Sequence, residues 1–250
     1  MSEDRFPGSA LRAIQLQIGS QRIAGYESPG TARAILLVHG NSSSSRVWQK
    51  QLEGPLGGKY RLIAIDLPGH GRSSPPPNPE QDYSGAGYSA CIAAVVRELE
   101  LRDAVIVGWS LGGHAVLNAA RSLPSAAGLM IFGTPPIGRT SEGFSGFKAL
   151  SPTVFTPAPS DAEIDAAIKS AFAPGFAPIP AFVGADFRNT DGAARGYLQM
   201  CKRGASQTRS RSCATSKFRS RLCMVRRSRS WTSPIYSAWR RRRCGASRCN

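Results

Sequence analysis

Residues 104–113 read Ala-Val-Ile-Val-Gly-Trp-Ser-Leu-Gly-Gly, a short apolar run that ends on a glycine, with Ser110 framed by Gly108 and Gly112. No other segment restricts the fold so tightly. Four apolar residues bounded by glycine fit a strand buried on both faces, and the stretch Leu111–Leu123 that follows has helical character. The serine then occupies a sharp strand-to-helix turn. Side chains two positions to either side would collide with neighbouring backbone there, so glycine is required at both. Such a turn lifts the hydroxyl off the sheet and places it above a helix N-terminus, which favours developing negative charge. Alone, G-x-S-x-G is a weak pattern that a chance Gly-Ser turn also satisfies. Between a buried strand and a helix it marks Ser110 as a candidate nucleophile.

The rest of the first 140 residues repeats this rhythm. Apolar runs at Arg33–Val38, Leu62–Ile65 and Gly128–Phe132 each end in glycine or a polar turn. Helical stretches lie between them at Val47–Leu52 and at Tyr88–Leu101, where Ile92, Val95, Val96 and Leu99 share one side. Strand, turn, helix, strand predicts an α/β fold with a doubly wound, mostly parallel sheet. Ala13–Ile18 and Arg22–Tyr26, joined at Gly19-Ser20, predict an antiparallel hairpin at its edge. The Pro-rich stretch Ser73–Asp82 reads as a loop. Residues 139–200 break the rhythm: Ser160 caps an expected helix over Asp161–Phe172, with Asp161 and Glu163 in its first turn, and a weaker helix is expected near Asp191–Met200.

Two further motifs end the neighbouring strands. His39-Gly40-Asn41 follows the first central run; the backbone N–H of Asn41 can face an oxyanion beside the N–H of Leu111, and Gly40 lets the backbone approach. His39 itself reads as a supporting turn residue. Asp66-Leu67-Pro68-Gly69-His70-Gly71-Arg72-Ser73 follows the next run. His-Gly, then Asp-x-Pro-Gly-x-Gly-x-Ser, then the serine elbow, in that order, closely resemble the α/β-hydrolase superfamily over about residues 10–200. The resemblance implies a core over 1–138, a helical lid over 139–200, and structural roles for His39, Gly40, Asp66, His70, Arg72, Gly108 and Gly112. His39-Gly40-Asn41 is also similar to the haloalkane dehalogenase branch, but that branch carries Asp as nucleophile. Ser110 points to acyl transfer on an ester-like small molecule or other acyl bond, as in an esterase, lipase, lactonase, peptidase or C–C bond hydrolase, without cofactor or metal.

The same resemblance implies a Ser–acid–His order, and here the chain departs from it. Its three histidines are His39, His70 and His114, so none follows the lid. The family's last two strands have no convincing apolar run either. Residues 1–200 carry 17 Lys and Arg against all 16 Asp and Glu, whereas residues 201–250 carry 15 basic residues and no acid. Five of the six cysteines also fall in that tail. The lone Cys91 of the body fits a reducing compartment, and the polar start lacks the apolar segment of a signal peptide, so the expected location is the cytoplasm, with no membrane span. The charge excess belongs to the tail, so nucleic acid is not the expected partner of the body, although an Arg/Ser-rich tail can bind phosphate backbones.

The stronger reading of the tail is a frameshifted hydrolase C-terminus, disordered and lacking the final strands. Joining the third base of each codon to the first two of the next turns Cys223-Met224 into His or Tyr, and Met224-Val225 into Gly. Arg227-Ser228 then permits Glu, Ser230-Trp231 gives Leu, Met or Val, and Trp231-Thr232 must give Asp. A His-Gly-x-x-acid-x-x-Val pattern, which the family carries around its catalytic acid, is therefore open in the shifted frame. The chain as written then lacks its catalytic His and acid, leaves the Gly128–Phe132 strand as a bare edge, and is expected to be inactive or nearly so. A non-catalytic ligand-binding protein on the same fold is the alternative. Sequencing the coding DNA is expected to find the shifted frame open and encoding His-Gly; stops within it would dismiss this reading.

Overall fold

The computed structural model describes residues 10–134, 151–196 and 222–224. Its strands are β1 (Arg12–Ile18), β2 (Gln21–Glu27), β3 (Ala32–Val38), β4 (Tyr60–Ile65), β5 (Val105–Trp109), β6 (Gly128–Phe132) and β7 (Leu222–Met224). They form one sheet in the order β1-β2-β4-β3-β5-β6-β7. The β1/β2 hairpin turns at Gly19, whose φ of 58° suits glycine, and β2 continues antiparallel onto β4. From β4 to β7 every pairing is parallel.

Alternation along the strands feeds two cores. Leu36, Val38, Ile63, Ile65 and Ile106 face one side, where they meet Tyr88, Ile92 and Val95 of α4 (Gly85–Glu98) and Val116 of α5 (Leu111–Ala119). Leu37, Leu62, Ala64 and Val107 face the other, against Trp48 and Leu52. Leu52 belongs to α1 (Gln49–Glu53), which follows a 3-10 turn at Ser45–Trp48 and precedes α2 (Pro55–Lys59). Helices on both faces make the central strands apolar throughout, as the sequence predicts. The Pro-rich loop contains one short helix, α3 (Pro79–Asp82), begun by a proline whose missing N–H costs nothing at a helix start.

Residues 151–196 form a helical layer above the C-terminal ends of the parallel strands. α6 (Asp161–Ala171) starts at a full capping box, in which Ser160 and Glu163 satisfy each other's backbone N–H. α7 (Ala181–Asn189) is unanticipated from sequence, because the Pro- and Ala-rich stretch before it masks the helical period. Ile164, Ala167, Ile168 and Phe187 form this layer's own small core. Buried Arg195 ties its strands of loop together by donating to the carbonyls of Thr156, Pro157 and Phe187 at 2.9–3.0 Å. The weaker helix expected near Asp191–Met200 is present over 192–196; its end, and the expected start of the insertion at 139, lie outside the described residues.

Of residues 201–250, β7 alone is described. It pairs in parallel with Leu129, Met130 and Ile131. β6 therefore has a partner along three of its five residues, where the sequence predicts a bare edge. The expected disorder of the rest of the tail lies outside the described residues. Ile106, fully buried in the central strand, should respond as a packed core residue. Ile106→Ala is expected to lower unfolding free energy by about 2–5 kcal/mol in urea titration; a loss below about 1 kcal/mol would contradict this packing.

Candidate active site

Strand register decides where the motifs meet. Val38 pairs with Ile65 on one side and with Gly108 on the other. The residues that follow each strand, His39, Asp66 and Trp109-Ser110, therefore emerge side by side at the point where the chain switches from one side of β3 to the other. Such switch points form crevices in open α/β sheets.

Ser110 is the N-cap of α5, with φ 53° and ψ −115°. A non-glycine residue in this region is strained by about 1–3 kcal/mol and persists only when its surroundings hold it. Its N–H donates to the Phe132 carbonyl at 3.0 Å, and its carbonyl accepts from the His114 N–H at 3.1 Å and from Thr134 Oγ1 at 3.2 Å. A Cβ at Gly108 would lie 2.6 Å from the Gly112 carbonyl oxygen, and one at Gly112 would lie 2.6 Å from the Val38 carbonyl oxygen. Both glycines are therefore required by backbone contacts. A Cβ at Gly40 would stand 3.1 Å from the Ser110 Cβ, so the His39–Asn41 loop lies directly against the serine. Asn41 follows that glycine, and Leu111 opens α5 directly after Ser110.

The remaining motif residues support these loops. His39 is fully buried: its Nε2 accepts from the Leu67 N–H at 2.9 Å, so Nδ1 holds the proton and donates to the Gly40 carbonyl at 2.6 Å. His70 is buried with its ring centroid 5.2 Å from that of His39 and its Nδ1 2.9 Å from the Pro68 carbonyl. Desolvation pushes the His39 imidazole down to about 4. Desolvation, helped by the His39 ring, pushes His70 down to about 3. Asp66 accepts from the Ser45 N–H at 2.6 Å and the Arg72 N–H at 3.1 Å, while its carbonyl accepts from Ser73 Oγ at 2.7 Å. The Arg72 guanidinium lies 4.0 Å over the Tyr26 ring. Asp66 thus links the loops after β3 and β4.

A cavity of about 570 Å³ opens above Ser110. Trp109, Leu111, Asn41, Ser42 and His114 contribute to its sheet side, and Ile168, Phe172, Phe176, Phe182, Val183 and Phe187 to its lid side. Phe172 and Phe176 stack at 5.0 Å. No carboxylate lines it among the described residues, and its charged lining side chains are Arg46 and Lys50. Among the described residues no three His, Cys, Asp or Glu converge to hold an ion. His114, which carries no role in the motifs, stands on the cavity wall with Ser110. Asp186, unmarked in the sequence, is a buried lid residue that accepts from Ser44 Oγ at 2.6 Å and from the Arg46 guanidinium. Burial raises the Asp186 carboxyl despite the opposing pull of Arg46 and Ser44. Asn41 Nδ2 adds a second tie by donating to the lid carbonyl of Val154 at 2.7 Å. No sequence signal marks the Asp186 contact, because its partners lie more than a hundred residues away.

The model of a family described as "Alpha/beta hydrolase family" matches residues 35–246. A non-heme haloperoxidase of Rhodococcus erythropolis is 37% identical over 135 residues, which are 49% of this chain and 48% of that protein. A pimeloyl-[acyl-carrier protein] methyl ester esterase of Aliivibrio salmonicida is 27% identical over 132 residues, 52% of this chain and 47% of that protein. The chain thus spans about half the length of these curated relatives. Among solved structures, the N-acyl homoserine lactonase AidH complexed with N-butanoyl homoserine superposes with a TM-score of 0.73 at 32% identity, over 86% of this chain and 76% of that one. No helix among the described residues is long and apolar enough to cross a membrane.

The two buried histidines make stability dependent on pH. Between the ordinary imidazole value of 6.5 and the folded values of about 4 and 3, the unfolded chain takes up two protons that the folded chain refuses. Their contribution is therefore complete above pH 6.5 and is lost as pH falls toward 4, with a slope approaching about 2.7 kcal/mol per pH unit. Urea unfolding at pH 7.5, 6 and 5 measures it; an equal free energy at all three would refute the neutral, buried pair.

Proposed function

The chain belongs to the alpha/beta hydrolase family, and from that membership we propose that it is a serine hydrolase of esters or lactones with an apolar acyl chain, Ser110 being the nucleophile. The observation that carries this is the position of Ser110: a strained turn at the floor of a cavity whose lid side is almost wholly apolar. Strain of this kind has no purpose in a structural turn, since a glycine would adopt φ 53° without cost. In the reaction, Ser110 Oγ attacks the acyl carbon and the carbonyl oxygen gathers negative charge. The backbone N–H groups of Asn41 and Leu111 stabilise that charge. The acyl chain runs into the space between α6 and α7, and each buried methylene contributes about 0.8 kcal/mol.

Among substrate classes, N-acyl homoserine lactones suit this reading best. AidH, complexed with N-butanoyl homoserine, shares the fold over most of both chains, and its ligand is an open-chain hydroxy acid that carries an apolar acyl tail, the form that opening a lactone ring leaves. The polar end of such a ligand fits the Asn41–Ser42 side of the cavity, and the tail fits Ile168, Phe172 and Val183. Turnover by the chain as written is expected to fall several orders of magnitude below that of an intact triad, because the chain carries no histidine after the lid. The absence of a carboxylate from the described cavity lining favours one second reading, a protein that binds the same ligands without turning them over.

Two measurements test the proposal. A fluorophosphonate is expected to label the protein at Ser110 slowly, and Ser110→Ala to abolish the label; labelling that survives this change would reject Ser110 as the nucleophile. Trp109, on the cavity wall, gives a fluorescence signal for binding. Affinity for N-acyl homoserine lactones is expected to rise about fourfold per added methylene from butanoyl upward. Absence of any binding across the series would remove this substrate class.

A further inference from the structure

We infer that the cavity above Ser110 selects an anionic amphiphile, an apolar acyl tail whose carboxylate head is held by Arg46 and Lys50, an assignment that rests on the reading of this cavity as an acyl site. Its two walls differ in kind. Residues 41–50 supply Asn41, Ser42, Ser43, Arg46, Gln49 and Lys50 to one wall. Every lining residue between 154 and 187 is apolar. An apolar wall opposite a polar, cationic one matches a molecule with a tail and a charged head.

Helical spacing builds the cationic wall. Arg46 belongs to the 3-10 turn Ser45–Trp48, and Lys50 to α1, which continues it directly. Residues four apart on successive turns share one side, and both line the cavity. Arg46 is also held in place. Buried Asp186 of α7 accepts from its Nε at 3.1 Å and from its Nη2. The guanidinium carbon stands 5.6 Å from the centroid of the Phe182 ring, another lining residue. These contacts fix the planar head, which carries more N–H donors than Asp186 accepts. The Arg46 side chain is 26% exposed against 2% for Asp186, so its remaining donors are within reach of a ligand.

The charges leave this wall positive. Asp186 offsets Arg46, whereas Lys50 is exposed and engaged in no ion pair among the described residues. No carboxylate lies in the described lining to offset Lys50. A carboxylate at Arg46 and Lys50 accepts charge-assisted hydrogen bonds, which are stronger than those a neutral carbonyl accepts. A neutral ester or lactone fills the apolar wall equally well but gains less at the cationic one. The acid that hydrolysis leaves is therefore held more tightly than the ester or lactone it comes from.

Calorimetric titration of the full chain at pH 7.5 with decanoate and with decanamide tests the assignment, because the two ligands differ in charge and little in shape. Decanoate is expected to bind about tenfold more tightly or better. Lys50→Gln, at an exposed position, is expected to cut this preference by about threefold with no change in melting temperature. The double change Arg46→Gln with Asp186→Asn removes both charges of the ion pair, so no lone carboxylate stays buried in the lid. It is expected to erase most of the remaining preference while decanamide still binds. The basic residues of the tail are present in every variant, so attraction to them cannot produce these losses. N-decanoyl homoserine, titrated beside decanoate, separates a ring-opened N-acyl compound from a plain fatty acid as the source of the carboxylate, the tighter ligand identifying it. Equal affinity of wild type for decanoate and decanamide, or a preference that survives both variants, would overturn the assignment. A protein that binds neither ligand would reject the acyl cavity itself, and the anionic head with it.

Discussion

The parallel register at the centre of the sheet is the constraint on which the site depends. Val38 is in register with Ile65 on one side and with Gly108 on the other, and this one alignment brings three separate sequence motifs to a common edge. A register slip would turn every side chain of a strand to the opposite face, so two apolar faces and two helical layers hold it in place. Ile63, Ile65, Val38 and Ile106 are fully buried, which makes a slip costly at several positions together. The geometry of the elbow follows. Ser110 can tolerate a positive φ because Phe132, one strand over, accepts its N–H, and because Gly108 and Gly112 meet backbone atoms where a Cβ would collide.

Polar contacts beneath and above the elbow differ in what they accomplish. Asp66, His39 and His70 lie below it, are buried, and work by hydrogen bonding to loop backbone. Their cost is desolvation, which keeps both imidazoles neutral and makes them supports unsuited to proton transfer. Above it, Asp186, Arg46 and Ser44 fasten α7 to the turn that follows Asn41. Tyr83 Oη donates to Asp191 at 2.5 Å and fastens the far end of the lid to the loop region after β4. The lid is thus attached at both ends to the loops that surround Ser110.

Much of this was legible in the residues. The apolar runs ending in glycine marked the central strands to within one or two positions, since a strand buried on both faces can use little but Val, Ile, Leu and Ala. Ser160 and Glu163 announced α6, because a capping box is a local device. α7 was not legible: it has Pro180 as its N-cap, follows a stretch rich in Pro and Ala, and carries its apolar residues at irregular spacing. The Asp186 contact was hidden for a different reason. Nothing near it in sequence distinguishes a lid aspartate that is buried from one in solvent.

By itself the sequence determined the order of strands and helices, the elbow and its required glycines, and the absence of any histidine beyond position 114. These follow from local sterics and from the period of apolar residues, which act over a few positions. The tertiary structure decided which distant residues meet. It set Asn41 against Ser110, gave β6 a partner at Leu222–Met224, buried His39 and His70 together, and placed His114 on the same cavity wall as the serine. Those outcomes depend on sheet register and on the direction in which helical side chains lean. Neither is written in any single stretch of the chain.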